Sequence, residues 1–387
     1  MKVLIIQPWI SYRGAEAVSV LETYYLKKLG HQAKMACLYI DRNRLPPYGN
    51  QIEYLLPNKY LGRLIEKSPL FLLFLGIPTL FFLVLKNCDE FDLLNPHNLP
   101  SLWIAALVKV FKKIKVVWTV HGVSPEAGFS QNAFNLLCWN VGVKYFDKWA
   151  VLKTDHIVAV SRQIKEKVFQ RYHLNAEVIY PPIEYQLYLG GNGNPIRKKL
   201  GLNKKDFLLL QVSDIQPSKK PEVSLQVLAK LQEKYGHVFL AFVGVKGNSL
   251  VLKNMENELN LAGRVFYEPF VDPNFLKNYF TACDMVLVPY WQAEGCPVIS
   301  IQALISDRPS VIVSGSGADE IMAKLENSYV AKPDLQSFVK EAEICYNEVS
   351  KHKNGRQLFM KSRNYIRNNL SGKYYAEQLL ILFKQNV

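Results

Sequence analysis

Two α/β domains, each a doubly wound parallel sheet, are the architecture that this chain of 387 residues predicts. The length exceeds what one ordinary hydrophobic core fills, so a second core is expected. Short β-branched runs alternate with helix-length segments along the whole chain, the rhythm of strand–helix–strand units in parallel sheets. Between the halves lies Gly-Gly-Asn-Gly-Asn-Pro at 190–195, which reads as a flexible linker or mobile loop. The expected division is 1–187, 188–368, and a closing segment 369–387 returning to the first domain.

In the first half, residues 3–6 (VLII) form a buried-type strand. A turn through Arg13, Gly14, Ala15 and Glu16 leads into a helix that Gly30 ends. Gly14 lets backbone approach a phosphate closely. Residues 32–38 read as the second strand. Residues 92–95 form a short strand leading to Pro96-His97-Asn98, residues 100–111 a helix, and residues 116–120 a β-branched strand ending in His121-Gly122. Ligands gather at the C-terminal ends of parallel strands, and a histidine there can hydrogen-bond a sugar or phosphate oxygen. Residues 156–159 give another strand, and Ser161 caps the helix after it.

The second half repeats the pattern. The strand 207–212 enters a loop carrying Ser213, Asp214, Lys219 and Lys220, followed by a helix over 221–235. Residues 239–243 form a strand, 244–247 a turn, and 265–268 a strand ending in Tyr267 and Glu268. A helix over 274–283 precedes the strand 285–288, which Pro289 breaks. The polar loop 290–296 holds Glu294, Gly295 and Cys296. Pro297 suits the first helical turn, where a missing N–H costs nothing, and the helix continues from Val298 to 305 with Gln302 inside it. Amides at such a helix start favour an anion. Glu294 accepts hydrogen bonds from sugar hydroxyls, and Gln302 both donates and accepts. A glycine-rich turn at 314–320 follows the strand 311–313, and Ser371 caps a final helix.

The net charge is +14, weighted toward the first half, where 22 Lys and Arg face 13 Asp and Glu up to Tyr180. Such charge suits an anionic membrane surface or phosphorylated substrates. No nucleic-acid motif or basic stripe is present, so nucleic acid is not an expected partner. The six cysteines form no Cys-x-x-Cys pair, which indicates neither a zinc site nor a disulfide framework and fits a reducing cytosol. The N-terminal apolar run is too short for a signal peptide.

Residues 70–85 (LFLLFLGIPTLFFLVL) are the most apolar stretch. At about 1.5 Å per residue they span roughly 24 Å, short of the ~30 Å hydrocarbon core, and Pro78 interrupts them. Two readings stand: a buried helix, or an apolar surface that dips into one leaflet, with Lys109, Lys112, Lys113 and Lys115 at headgroup level.

Glu294 with Gln302, VVWTVHG around His121, and the turn at Gly14 together resemble the retaining glycosyltransferases of family 4, which have the two-domain GT-B fold. The resemblance covers nearly the whole chain in the right order. It implies two Rossmann-like domains facing across a cleft, the donor nucleotide-sugar on the second and the acceptor on the first. In that family a Glu touching the donor sugar precedes, by about seven residues, a second Glu that holds the ribose; Glu294 matches the first, and Gln302 stands at the second. The resemblance places His121 near the reacting sugar and lets Lys219 or Lys220 neutralise the diphosphate. Asp214 stands where the family has Arg. Tyr267 and Glu268 fall beside the base, and Ser213, Gly295, Cys296 and Val298 along the donor. The catalytic set is then His121, Glu294 and Lys219, with no metal or other cofactor, since no Asp-x-Asp pair occurs. The implied activity is hexose transfer with retention to a glycan or lipid-linked acceptor, in polysaccharide or glycolipid synthesis, in the cytoplasm and peripherally at the membrane. Asp214 and Gln302 keep a non-catalytic binding relative open, and the shared fold keeps a nucleotide-sugar epimerase open.

Overall fold

A computed structural model describes residues 1–57, 72–123, 142–245, 250–290, 295–351 and 359–386. Glu294, Cys138, the turn residues Lys246 and Gly247, and the first two residues of the apolar run lie outside the described residues. The chain forms two compact units: Met1–Pro182 with Gly372–Val387, and Ile183–Ser371.

Unit 1 is built on strands β1 (Lys2–Ile6), β2 (Gln32–Ala36), β3 (Glu53–Leu55), β4 (Leu93–Pro96), β5 (Lys115–Val120), β6 (His156–Ala159) and β7 (Glu177–Val178). They form a seven-stranded sheet in the order β3-β2-β1-β4-β5-β6-β7, with every pair parallel. β1 pairs β2 through Ile5 and Met35 and β4 through Ile5 and Asn95, so the order reverses beside β1. Its apolar residues Val3 to Ile6 are buried, as both faces of a wound sheet require. The helix Gly372–Asn386, from the far end of the chain, packs here: Tyr375, Ala376, Leu379, Leu382 and Phe383 join Val3, Ile5 and Val18 in one core.

Unit 2 repeats the plan with β8 (Phe207–Val212), β9 (Val238–Val243), β10 (Val265–Glu268), β11 (Met285–Val288), β12 (Ser310–Val313) and β13 (Ser328–Ala331). The six strands are parallel in the order β10-β9-β8-β11-β12-β13. β8 and β11 are neighbours at the reversal, Leu209 opposite Met285. The doubly wound expectation therefore holds in both halves.

Two expectations are corrected. The run 190–195 is not a free linker: a Cβ at Gly191 would collide with Thr281 and the Lys277 carbonyl, and one at Gly193 with the Ala282 backbone. Asn192 N–H donates to Asn278 Oδ1 at 2.8 Å, and a helix starts at Asn194. These glycines allow close docking on the helix Pro273–Ala282, which is a packing role rather than a flexibility role. The second correction concerns the helix near Pro297. It spans Ile299–Ile305, with Val298 as its cap, so Pro297 precedes it. The Pro297 carbonyl accepts from Ser300 Oγ at 3.0 Å instead.

The apolar run splits where Pro78 predicts. A π-turn over Leu72–Gly76 precedes the helix Ile77–Asn87. Leu72, Leu80 and Val84 are buried, while Phe74 and Phe82 are 66% and 65% exposed. Among the described residues, no helix is long and apolar enough to cross a membrane.

Candidate functional site

Both order reversals carry polar clusters, as open parallel sheets favour ligands there. In unit 1, β4 ends at Pro96, and His97 follows with an N–H bonded back to Ile6 O at 3.0 Å. β5 ends beside it, and His121 lies one residue on. His97 Nδ1 and His121 Nε2 are 2.8 Å apart, with the rings stacked at 5.1 Å. His97 is fully buried, and its Nε2 lies 2.8 Å from Asn95 Oδ1 and 3.2 Å from Glu22 Oε2. Burial, and then the neighbouring His97, hold the His121 pKa well below the ordinary imidazole value.

The first βα turn of unit 1 differs from its expected use. Gly14 opens the helix Gly14–Lys28, and a Cβ there would meet nothing within 4 Å. Among the described residues, no close packing demands glycine at 14. Two residues on, Glu16 is buried, and Trp9 Nε1 donates to its Oε1 at 3.1 Å. Burial pushes its carboxyl up to about 7, against weaker pulls from its own backbone, Arg13 and Trp9.

In unit 2, Gln211 organises the loop after β8. Its buried amide donates to Lys219 O at 2.9 Å and Ser213 Oγ at 3.2 Å, and accepts from Ser224 Oγ at 2.6 Å. The loop is thereby folded onto the helix Pro221–Tyr235. Lys219 Nζ lies 4.6 Å from the centroid of the Tyr290 ring, and Tyr290 donates to Val212 O at 2.8 Å across the β8–β11 reversal. Burial lowers the Lys219 pKa to about 8, with Asp214 pulling it back up. An ammonium over an aromatic face at the strand ends is a suitable partner for an anion. The Asp214 carboxylate accepts from Gln216 Nε2 at 2.6 Å, so it has a partner other than that lysine. Lys220 turns elsewhere, its Nζ 3.7 Å from Glu222. Of the two lysines, Lys219 is thus the one enclosed at the strand ends.

Gln302 is 6% exposed, and its Oε1 has no hydrogen-bond partner among the described residues. A buried acceptor without a donor costs about 1–3 kcal/mol unless something supplies an O–H or N–H. Gly295 and Cys296 precede the short helix, and burial pushes the Cys296 thiol up, with Glu320 and Asp319 adding to this. Val298 is half-buried at its cap. The glycine-rich turn is tied to itself, Gly315 and Gly317 N–H donating to Asp319 at 2.8 and 2.9 Å.

The remaining two expected residues have structural partners. Tyr267 donates to Glu256 at 3.2 Å and stacks on Phe242. Glu268 is buried, ion-paired with Lys199, and accepts from Tyr279 at 2.8 Å. Both contacts fall on one carboxylate oxygen, Oε2. Sequence reasoning passed over Glu22, His97, Gln211 and Tyr290. Asn-Pro-His at a strand end and the aromatic beside Pro289 were the available signals.

The family model described as Glycosyltransferase Family 4 matches residues 12–187, and Glycosyl transferases group 1 matches 193–354. An uncharacterized glycosyltransferase of Methanocaldococcus jannaschii is 23% identical over 300 residues, 75% of this chain and 77% of that one. A D-inositol 3-phosphate glycosyltransferase of Rhodococcus jostii is 25% identical over 181 residues, 44% of this chain and 40% of its own. The crystal structure of Anabaena HepE in complex with UDP-glucose superposes with a TM-score of 0.74 at 18% identity, over all of both chains.

Proposed function

For a chain that belongs to the GT4-type glycosyltransferases and carries the GT-B fold, we propose retaining transfer of a hexose from a nucleotide-sugar to a glycan or lipid-linked acceptor. Lys219 carries this reading: a lysine at the strand-order reversal of unit 2, over the Tyr290 ring and with its pKa lowered to about 8 by burial. Charge building on the departing phosphate is met by an ammonium already in place. The C1–oxygen bond to the diphosphate breaks as the acceptor oxygen bonds C1 on the same face, and the departing diphosphate takes the acceptor proton. Glu294 positions the sugar, and Gln302 Oε1 receives a ribose hydroxyl. His121 steadies the hexose. The cation is Lys219, so the step calls for no metal. That HepE is a complex with UDP-glucose supports a uridine nucleotide as the first donor to try.

The test is thermal shift against UDP-, GDP- and ADP-sugars, since a ligand that binds only the folded state raises apparent stability. Transfer of labelled hexose to candidate acceptors is then measured with the donor that binds. Donor stabilisation without turnover over any acceptor would leave a binding protein; conversion of donor without acceptor would make it an epimerase.

The acceptor side of the proposal is peripheral contact with a membrane through unit 1. Phe74, Phe82 and Phe111 are exposed, the last by 66%, and Phe81 lies 5.9 Å from Phe111. Exposed aromatics such as Phe82 and Phe111, both beside Phe81, favour an interface. Lys109 and Lys112 are ion-paired with Asp155 and Asp89, so the apolar face rather than those lysines carries the reading. Flotation with anionic vesicles should weaken for Phe74→Asp with Phe82→Asp; unchanged flotation ends the membrane part. Leu72 is buried and unsuited to this test.

A further inference from the structure

We propose that Gln211 and Tyr290 are positioning residues that hold Lys219 by its two ends, the backbone carbonyl and the ammonium, and act on the donor through it. Gln211 holds the carbonyl. Lys219 O can only accept, so the amide atom 2.9 Å from it is the donating Nε2. Oε1 then faces Ser224 Oγ at 2.6 Å, and that hydroxyl must donate. Nε2 also reaches Ser213 Oγ at 3.2 Å. One fully buried side chain thus ties together the end of β8, both ends of the loop and the start of the helix Pro221–Tyr235. Turning the amide over would set two acceptors face to face, so the buried arrangement holds one geometry.

The loop needs such a hold. Lys220, the next residue, has φ 47° and ψ 48°, a left-handed conformation that disfavours any side chain. It turns the chain from the short 3-10 segment Pro217–Lys219 into the helix, and the Gln211 bond falls on the residue just before it. Tyr290 holds the other end. Its buried hydroxyl donates to Val212 O at 2.8 Å, and its ring centroid lies 4.6 Å from Lys219 Nζ. Gln211 and Val212 are the last two residues of β8, so one strand end anchors both tethers. The consequence for the donor rests on the contact with Lys219 proposed above: an ammonium kept at the strand ends is placed before the diphosphate arrives, and loosening either tether costs donor affinity.

The test is a double-mutant cycle on the full chain, read by titration calorimetry with UDP-glucose. The titration of Lys219 without ligand is followed alongside by pH-dependent lysine labelling and mass spectrometry. Gln211→Met keeps the length of the side chain and removes its hydrogen bonds. It should weaken UDP-glucose about fivefold or more while Lys219 is present, and by less than about twofold in a Lys219→Ala background. Lys219→Ala retains the backbone carbonyl, so a role confined to folding would cost the same in both. Without ligand, the Lys219 pKa should move from about 8 toward the ordinary lysine value as the ammonium leaves the ring and meets water, although Asp214 already pulls it that way. Tyr290→Phe drops only the tether to Val212 and should shift both readouts the same way by less; it decides if Gln211→Met does not fold. Equal losses in the two backgrounds overturn the proposal, as does an unmoved Lys219 titration. If the titration moves while UDP-glucose binds wild type and Lys219→Ala alike, the donor contact falls and the two tethers stand.

Discussion

The two strand-order reversals share one topology and differ in the groups they bring together, a histidine pair in unit 1 and a lysine over an aromatic ring in unit 2. At β1–β4, His97 has a partner on each ring nitrogen, and its partners are anchored by Thr119, Val117 and Tyr375. At β8–β11, Lys219 rests over an aromatic ring with its pKa depressed, and Gln302 Oε1 has no donor among the described residues. Each reversal also holds a buried acceptor without a donor among the described residues, Glu22 Oε1 in one and Gln302 Oε1 in the other. The same fold thus sets an acid–imidazole network on one unit and a half-buried lysine on the other.

The sharpest way to break this contrast is to remove the cation. Lys219→Ala should lower kcat/KM by about 10²–10³, the cost of losing one preorganised donor to developing charge. Its apo melting temperature should hold or rise, because a desolvated ammonium is a liability without its anion. A large fall in apo stability would make Lys219 structural.

Glu16 sharpens the contrast within unit 1, as a buried acid outside the histidine network. Its folded pKa of about 7 lies above the free value, so the folded state binds the extra proton and stability falls as pH rises from about 4.5 to about 7. Glu16→Gln keeps an acceptor for Trp9 and removes that loss, stabilising the protein by up to about 3 kcal/mol at pH 8. Denaturant unfolding at pH 5 and pH 8 checks it: the variant's advantage should be several-fold larger at the higher pH.

A smaller effect is the pH dependence of donor affinity. Lys219 is charged below about 8 and neutral above, so affinity should fall by up to about tenfold per pH unit beyond that point. Titration calorimetry from pH 7 to 9.5 reads it, and Lys219→Ala should flatten the curve. Smallest is Asp214→Asn, which keeps a partner for Gln216 and lifts the acid from beside the lysine. Donor affinity should rise several-fold; a fall would mean that Asp214 helps to hold the donor.

Much of this fold was legible in the chain, because buried parallel strands such as VLII and MVLV announce themselves by apolar runs bounded by turns. His121 was legible for the same reason, standing where such a run stops. The rest depended on contacts distant in sequence. Glu22 reads as an ordinary helix acid until Tyr375, hundreds of residues on, is packed over it. Glycines at 191 and 193 look flexible because sequence does not show the helix Pro273–Ala282 lying against them. Tyr267 and Glu268 stand at a strand end as expected, yet Glu256 and Lys199 occupy their side chains.

The account turns on whether the pocket at Lys219 takes a nucleotide diphosphate. Titration calorimetry with UDP-glucose on wild type and Lys219→Ala, near neutral pH, tests it directly. The account predicts saturable one-to-one binding by the wild type that the variant weakens at least tenfold. Equal affinity in both proteins would contradict it.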